Sequence, residues 1–373
     1  MCTGAEVKQL EFLDLRRLNE PYLSDFENAT CTNFRSGHYI GGPSVAKFEQ
    51  EFARYCGVRQ CVSVGNGLDA LVIALRALGV GVGDEVIVPG QTFVATWLAV
   101  SAVGAKIVPV DVSSSTANID TVLIEGAITP HTKAIIPVHL YGACADMARI
   151  MEIARSHSLF VIEDAAQAHG AICGGKRAGA HGHVGCFSFY PSKNLGALGD
   201  AGGLVTNDDV VAERARLLGN YGSIQKYVHS EIGMNSRLDP IQASLLSVKL
   251  NNIDNIIEKR KKCAAAYSEA ISSRSSTKLS RLLKDDIDCV WHNFVVLADD
   301  RQQFIDHMKS HGVHTAIHYP IIPSRQECYL EEFGSINLPI SERLAAHSVS
   351  LPIGEYLNEC EINQVVQAIS TYL

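Results

Sequence analysis

Between residues 60 and 205 short apolar runs alternate with helix-length segments: CVSV, EVIVP, KIVPVDV, KAIIPVHLYG, LFVIEDA, CFSFY and GGLVTN. That alternation is the signature of a mainly parallel sheet with crossover helices, so the chain is predicted to be α/β with seven strands in its main sheet. A helix over 240–270 then leads into a smaller α+β part. There CVWHNFVVLA at 289–298 and GVHTAIHY at 312–319 read as strands, and ECEINQVVQAIS as a closing helix. The expected division is 1–250, large part with an N-terminal segment, and 251–373, small part. A length of 373 residues and 47% hydrophobic content suffice for a core of that size, and no internal repeat or low-complexity linker is visible.

Asp164 closes HSLFVIEDAA, whose LFVI centre reads as a buried parallel strand. Its carboxylate therefore falls at a strand's C-terminal end, where open α/β sheets bind ligands. The plainer reading is an Asp capping the next helix. Lys193 follows in CFSFYPSKNLGALGDAGG, where an alternating strand breaks at Pro191 into a Gly-rich loop. A lone loop lysine is ordinarily solvated. Together, however, the acid and the lysine suit pyridoxal phosphate: the acid keeps the pyridine nitrogen protonated, and the lysine holds the cofactor covalently. Gln167 is placed to bond the cofactor's phenolic oxygen, Ser188 offers a hydroxyl to phosphate, and Gly202 and Gly203 permit close backbone approach.

Upstream, CVSVGNGLDALVIALRAL at 61–78 reads as strand, glycine turn and helix, an anion cradle. Gly65, Gly67 and Ala70 also satisfy G-x-G-x-x-A, so a dinucleotide-binding fold is the rival reading. That fold needs an acid ending the second strand, whereas Asp84 and Glu85 stand ahead of EVIVP. GVGVG at 79–83 runs from helix to strand, the wrong order for phosphate, and is predicted to be a helix C-cap and turn.

From FRSGHYIGGPSVAKFEQEFARYCG at 34–57 to GMNSRLDPIQASLLSVKL at 233–250, the chain resembles the sugar aminotransferases of the DegT, DnrJ, EryC1 and StrS family. These are fold type I pyridoxal phosphate enzymes that act on nucleotide-linked ketosugars. GNGLDAL, LGNYGSIQKY and MNSRLDPIQ are most similar to the branch that aminates carbon 3 of a dTDP-linked 3-keto-6-deoxyhexose, in deoxyamino sugar biosynthesis such as that of lipopolysaccharide O-antigen. The resemblance implies that Asp164 meets the pyridine nitrogen, Gln167 the phenolic oxygen, and Ser188 with the Asn66 and Gly67 turn the phosphate, while Lys193 carries the cofactor and Phe93 stacks on its ring. It implies L-glutamate as amino donor and a homodimer in which Asn235 reaches the neighbouring subunit's cofactor phosphate. Tyr190, His318, Tyr319 and Arg325 are the expected substrate-facing residues. One departure stands out: where the family often has Y-P-x-P-x-H-x-Q, this chain has HYPIIPSRQ, with Ser324 at the histidine position. Alternatives are a carbon 4 aminotransferase, a dehydratase of the same fold, which carries histidine where Lys193 stands, and a non-catalytic regulator.

A net charge of −8 with dispersed basic residues argues against a nucleic-acid partner. KRKK at 259–262 is read as a solvated helix face. Eleven cysteines without a C-x-x-C pair suit reduced thiols in a cytoplasmic protein. His181 and His183 in GAHGHVG are read as a turn and not as a metal site, so no metal is expected. MCTGAEVKQLEF has acids where a signal peptide needs an apolar core, and no run approaches the roughly 18 apolar residues of a membrane span.

Overall fold

The computed structural model describes residues 9–273, 278–284 and 287–373. The reading of the N-terminus at residues 1–8 lies outside them. Seven strands form the main sheet: β1 Gln60–Val64, β2 Glu85–Pro89, β3 Lys106–Val110, β4 Thr132–Ile135, β5 Phe160–Asp164, β6 Val184–Ser188 and β7 Gly202–Thr206. Their spatial order is β1-β7-β6-β5-β4-β2-β3. Pairs β2–β3, β2–β4, β4–β5 and β5–β6 are parallel, and β7 is antiparallel to both its neighbours. Only β7 thus runs against the rest, and the Val/Ile-rich centres of the strands are buried because helices cover both faces.

The helix Gly67–Ala77 shows how the sequence sets this architecture. Asn66 caps it by accepting from the Asp69 N–H at 2.9 Å, and Ala70 through Leu75 are buried on every side. A helix apolar all round has to be central, and this one lies in the main core with β6, β7 and Trp97. It ends as expected of GVGVG: Gly79 and Gly83 have φ of +76° and +92°, and the Val80 N–H returns to the Leu75 carbonyl.

The C-terminal part holds an antiparallel sheet of Leu279–Arg281, Phe294–Ala298 and Ser348–Leu351, with helices Ile253–Ser272, Arg301–Ser310 and Glu359–Tyr372 sharing its core. Four details differ from expectation. The helix over 240–270 is two, Pro240–Leu250 and Ile253–Ser272, interrupted at Asn251 and Asn252. The strand in CVWHNFVVLA starts only at Phe294. GVHTAIHY forms single bridges, Val313 to Leu10 and Ala316 to Ser350, and no ladder. Arg260 of KRKK is not solvated but buried, its Nε 3.1 Å from Glu355.

Several contacts cross the expected division at residue 250. Arg17 makes a two-pronged bond to Glu361 (2.9 and 2.8 Å) in the last helix. Ile340 and Ser341 donate to Asp111 at the end of β3, and Tyr329 and Phe333 pack edge-on against Trp97.

Candidate active site

Asp164 ends β5, and burial raises its carboxyl pKa. The Thr96 hydroxyl opposes that shift by donating to Oδ2 at 2.8 Å, the Ala166 N–H by donating to Oδ1 at 3.3 Å, and the Lys193 charge by attraction. Thr92 stands 2.8 Å behind Thr96, so a chain of hydroxyls reaches the carboxylate.

Lys193 sits in the turn after β6, which is anchored instead of loose. Its N–H donates to the Tyr190 carbonyl at 2.8 Å, Asn194 donates to the Val290 carbonyl at 3.0 Å, and a Cβ on Gly196 would meet the Pro191 carbonyl oxygen at 2.4 Å. The residue keeps some surface, but its amine is desolvated, which lowers its pKa to about 8 against the pull of Asp164. Among the described residues no ion pair joins the two. They interact as charges across a gap.

Gln167 is buried with both ends of its amide engaged. Its Oε1 accepts from the Tyr141 N–H at 2.7 Å and its Nε2 donates to the Tyr319 hydroxyl at 2.9 Å. The Phe93 ring is 53% exposed, with its centroid 5.4 Å from that of Tyr319. His318 donates or accepts through Nδ1 with the Ser350 hydroxyl at 2.8 Å, and burial with the nearby Lys193 charge lowers its pKa to about 4. The Tyr141 hydroxyl donates to the His318 carbonyl. His169, fully buried between Phe187 and Phe189, is held neutral in the same way, at about 3. Both imidazoles are thus kept uncharged near the Lys193 charge.

The glycine turn closes on Ser188: a Cβ on Gly67 would come 2.7 Å from the Ser188 Cβ, and one on Gly202 would meet the Asn66 carbonyl at 2.3 Å. Only glycine permits this approach. The Gly67 and Leu68 N–H groups, in the first helical turn, have no acceptor within the helix. A serine hydroxyl, a helix N-terminus, a desolvated amine and a buried carboxylate make a donor set that fits a phosphorylated pyridine aldehyde.

The remaining expected residues fall in different surroundings. Tyr190 is exposed two residues from Ser188, whose hydroxyl accepts from its N–H at 3.3 Å. Asn235 is exposed beside Ser236, which bonds the Gly65 N–H at 2.9 Å and Asp69 at 2.6 Å. Arg325 is not brought into this cluster: its guanidinium pairs with Glu342 and donates to the carbonyls of Phe333 and Ile336 at 3.2 and 3.0 Å, closing the end of a helix. Ser324 is fully buried. Thr96 and Tyr141 escaped the sequence reading, and only the four-residue spacing of Thr92 and Thr96 in QTFVAT hinted at a shared face. His181 and His183 support the loop, donating from the His181 N–H to Glu163 at 2.8 Å and accepting at His183 Nδ1 from the Val161 N–H at 3.0 Å.

Fold and site together define a pyridoxal-phosphate-dependent aminotransferase. Residues 23–370 match the DegT/DnrJ/EryC1/StrS aminotransferase family. The chain is 44% identical over 372 residues to the dTDP-3-amino-3,4,6-trideoxy-alpha-D-glucose transaminase of Streptomyces venezuelae, covering 99% of this chain and 97% of that one. It is 46% identical over 363 residues to the dTDP-3-amino-3,6-dideoxy-alpha-D-galactopyranose transaminase of Aneurinibacillus thermoaerophilus, covering 97% and 99%. Its fold superposes with a TM-score of 0.95 on the crystal structure of S. venezuelae DesV in complex with a ketimine intermediate, at 43% identity and 98% coverage of both chains. The chain belongs to the DegT/DnrJ/EryC1/StrS aminotransferase family.

Proposed function

We propose that the protein transfers an amino group from L-glutamate to carbon 3 of a dTDP-linked 3-keto-6-deoxyhexose, giving a 3-amino-3,6-dideoxyhexose. The observation that carries this reading is the desolvated Lys193 amine facing the Asp164 carboxylate at the C-terminal edge of the sheet. The carbon 3 assignment rests on the kinship with the two dTDP-sugar transaminases.

In this reading pyridoxal phosphate supplies an electron-accepting ring that stabilises charge at the carbon losing a proton. Lys193 holds the cofactor and, once its amine is free, moves the proton, for which a pKa of about 8 is well suited at neutral pH. Asp164, hydrogen-bonded and kept from water, presents its carboxylate to the pyridine nitrogen. Gln167, fixed by Tyr141, serves the phenolic oxygen. Phe93 covers the ring, and Ser188 with the Asn66 and Gly67 turn takes the phosphate. Tyr190, Tyr319 and His318 line the approach of the sugar, with His318 acting as a neutral hydrogen-bonding ring. The nucleotide is a handle whose remote binding orients the ketone.

The working unit in this reading is a homodimer in which Asn235 reaches the neighbouring cofactor's phosphate. Supporting it are the exposed Asn235 and the apolar surface of Tyr221, Ile224, Tyr227, Val228 and Ile232 on the adjoining hairpin. Residues 1–250 carry the cofactor, and 251–373 form the smaller part. Among the described residues no helix is long and apolar enough to cross a membrane, and ten cysteines are free thiols, in keeping with action in the cytoplasm. The test is product analysis by NMR with glutamate and a panel of dTDP-linked 3-keto- and 4-keto-6-deoxyhexoses in both carbon 4 epimers. Turnover of the 3-keto sugars is expected, and an amine at carbon 4 would overturn the regiochemistry.

A further inference from the structure

Outside this site, Cys144, Cys173 and His181 form a cluster that the transamination reading leaves unused. Cys173 lies on the short hairpin Ile172–Cys173 with Lys176–Arg177 and is partly exposed. Its Sγ is 3.1 Å from His181 Nε2, and the Cys144 thiol is a neighbour that interacts with it. The Lys176 carbonyl, an acceptor only, lies 3.3 Å from the same His181 nitrogen. Nε2 therefore carries a proton and faces the sulfur as a donor, the arrangement that favours a thiolate. The His181 backbone is fixed as well, because its N–H donates to Glu163 Oε1.

We propose that Cys173 is an oxidation site for hydroperoxides, with His181 stabilising its thiolate and Cys144 as the resolving thiol. The thiolate attacks the terminal peroxide oxygen, the O–O bond breaks, and the departing hydroxide or alkoxide takes a proton from solvent to leave as water or an alcohol. Cys173 is thereby oxidised by two electrons to the sulfenic acid and the peroxide is reduced. The Cys144 thiol then displaces water from that sulfenic acid, forming the disulfide. The attraction of Cys144 and His181 lowers the Cys173 pKa to about 5, while Cys144 is pushed up by the same contact and stays a thiol. This is the division of labour that attack and resolution need.

The bond would close the segment 144–173, which carries Asp164 and Gln167. Glu163 already ties together the flanks of that segment without covalent links: its carboxylate meets His139 Nε2 at 2.9 Å and accepts from the N–H groups of Gly179, His181 and Gly182. An oxidised pair would add a covalent restraint to the strand that presents the active-site acid.

The test treats the holoenzyme with hydrogen peroxide, blocks free thiols and maps peptides without reductant. A Cys144–Cys173 peptide that dithiothreitol reverses should form before any oxidation of the exposed Cys31, Cys328 and Cys360. In Cys144→Ser, dimedone should trap sulfenic acid at Cys173. His181→Asn should slow Cys173 oxidation by about tenfold. The wild-type comparison stands even if that variant folds poorly. Oxidation of Cys173 no faster than of the three exposed cysteines, or its pairing with any residue other than Cys144, would overturn the proposal.

Discussion

Two lysines in this protein have their pKa lowered alike in different places, burial shifting each down to about 8 from 10.5. Lys193 lies in an anchored turn beyond the C-terminal end of β6, facing Asp164 across a gap that no ion pair closes. Lys249 lies inside the helix Pro240–Leu250, with its Nζ 3.3 Å from Asn19 Oδ1 and with Glu355 and Arg260 as its charged neighbours. A perturbed lysine is therefore no signature of chemistry by itself. What separates them is access: Lys193 keeps some exposed surface, whereas Lys249 is 1% exposed and already accommodated.

The largest expected effect is at Lys193. Lys193→Ala should lower kcat by at least about 10³-fold, because in the proposed function the same amine holds the cofactor and moves the proton. The variant should keep its far-ultraviolet circular dichroism, and borohydride trapping followed by peptide mapping should label Lys193 in the parent protein only. A label on Lys249 would erase the comparison. Next comes Asp164→Asn, which preserves shape and removes charge. A loss of about 10² to 10³-fold in kcat is expected, and a change under threefold would remove Asp164 from its proposed role.

At Lys249 the effect should fall on stability instead. A lysine whose folded pKa lies below its free value costs stability wherever both states are charged, below about 8. That cost fades as pH rises from about 8 to 10.5, where the unfolded chain binds the extra proton. Lys249→Met should thus stabilise the protein by about 1–3 kcal/mol at pH 7, with kcat within about twofold of the parent. Urea unfolding at pH 7 and pH 10 is the check, and the advantage should shrink at the higher pH. A destabilised variant at pH 7 would show that Lys249 balances Glu355 more than it suffers from burial.

The difference between the two lysines was itself legible to a degree that follows from where the information resides. The sheet could be read because the Val/Ile runs of β2, β4 and β5 are buried on both faces, so local composition and tertiary fate agree. Asp164, Lys193, Ser188 and the Gly67 turn could be read because strand ends and glycine turns fix them locally. Lys249 could not, since SLLSVKL gives no sign that Asn19 and Glu355, distant in sequence, surround its amine. The same holds for Arg260, read as solvated yet buried against Glu355, and for Arg325, whose partner Glu342 arrives on a later helix. GVHTAIHY has a strand's alternation, but its neighbours Leu10 and Ser350 each meet it at one residue, so no ladder forms. Partners set by tertiary contact leave no local trace.

Thr96 offers the smallest and most discriminating test, because it acts on Asp164 without belonging to the cluster read from sequence. Among the described residues its hydroxyl is one of two hydrogen-bond donors on that carboxylate, and it favours the charged form in a site where burial favours the neutral one. Thr96→Val keeps the β-branched shape, removes the donor and strands the Thr92 hydroxyl behind it. The Asp164 pKa should rise further, so less of the carboxylate is charged when it faces the pyridine nitrogen. The expected loss is about three- to tenfold in kcat with KM little changed, a bond to a charged group being worth about 1.5–3 kcal/mol of which the remaining Ala166 donor and Lys193 recover part. Thr96→Ser, which restores the hydroxyl, should recover most of the rate. If Thr96→Val instead lowered stability while leaving kcat intact, the hydroxyl chain would be packing support alone, and the charge of Asp164 would rest on Lys193 and Ala166.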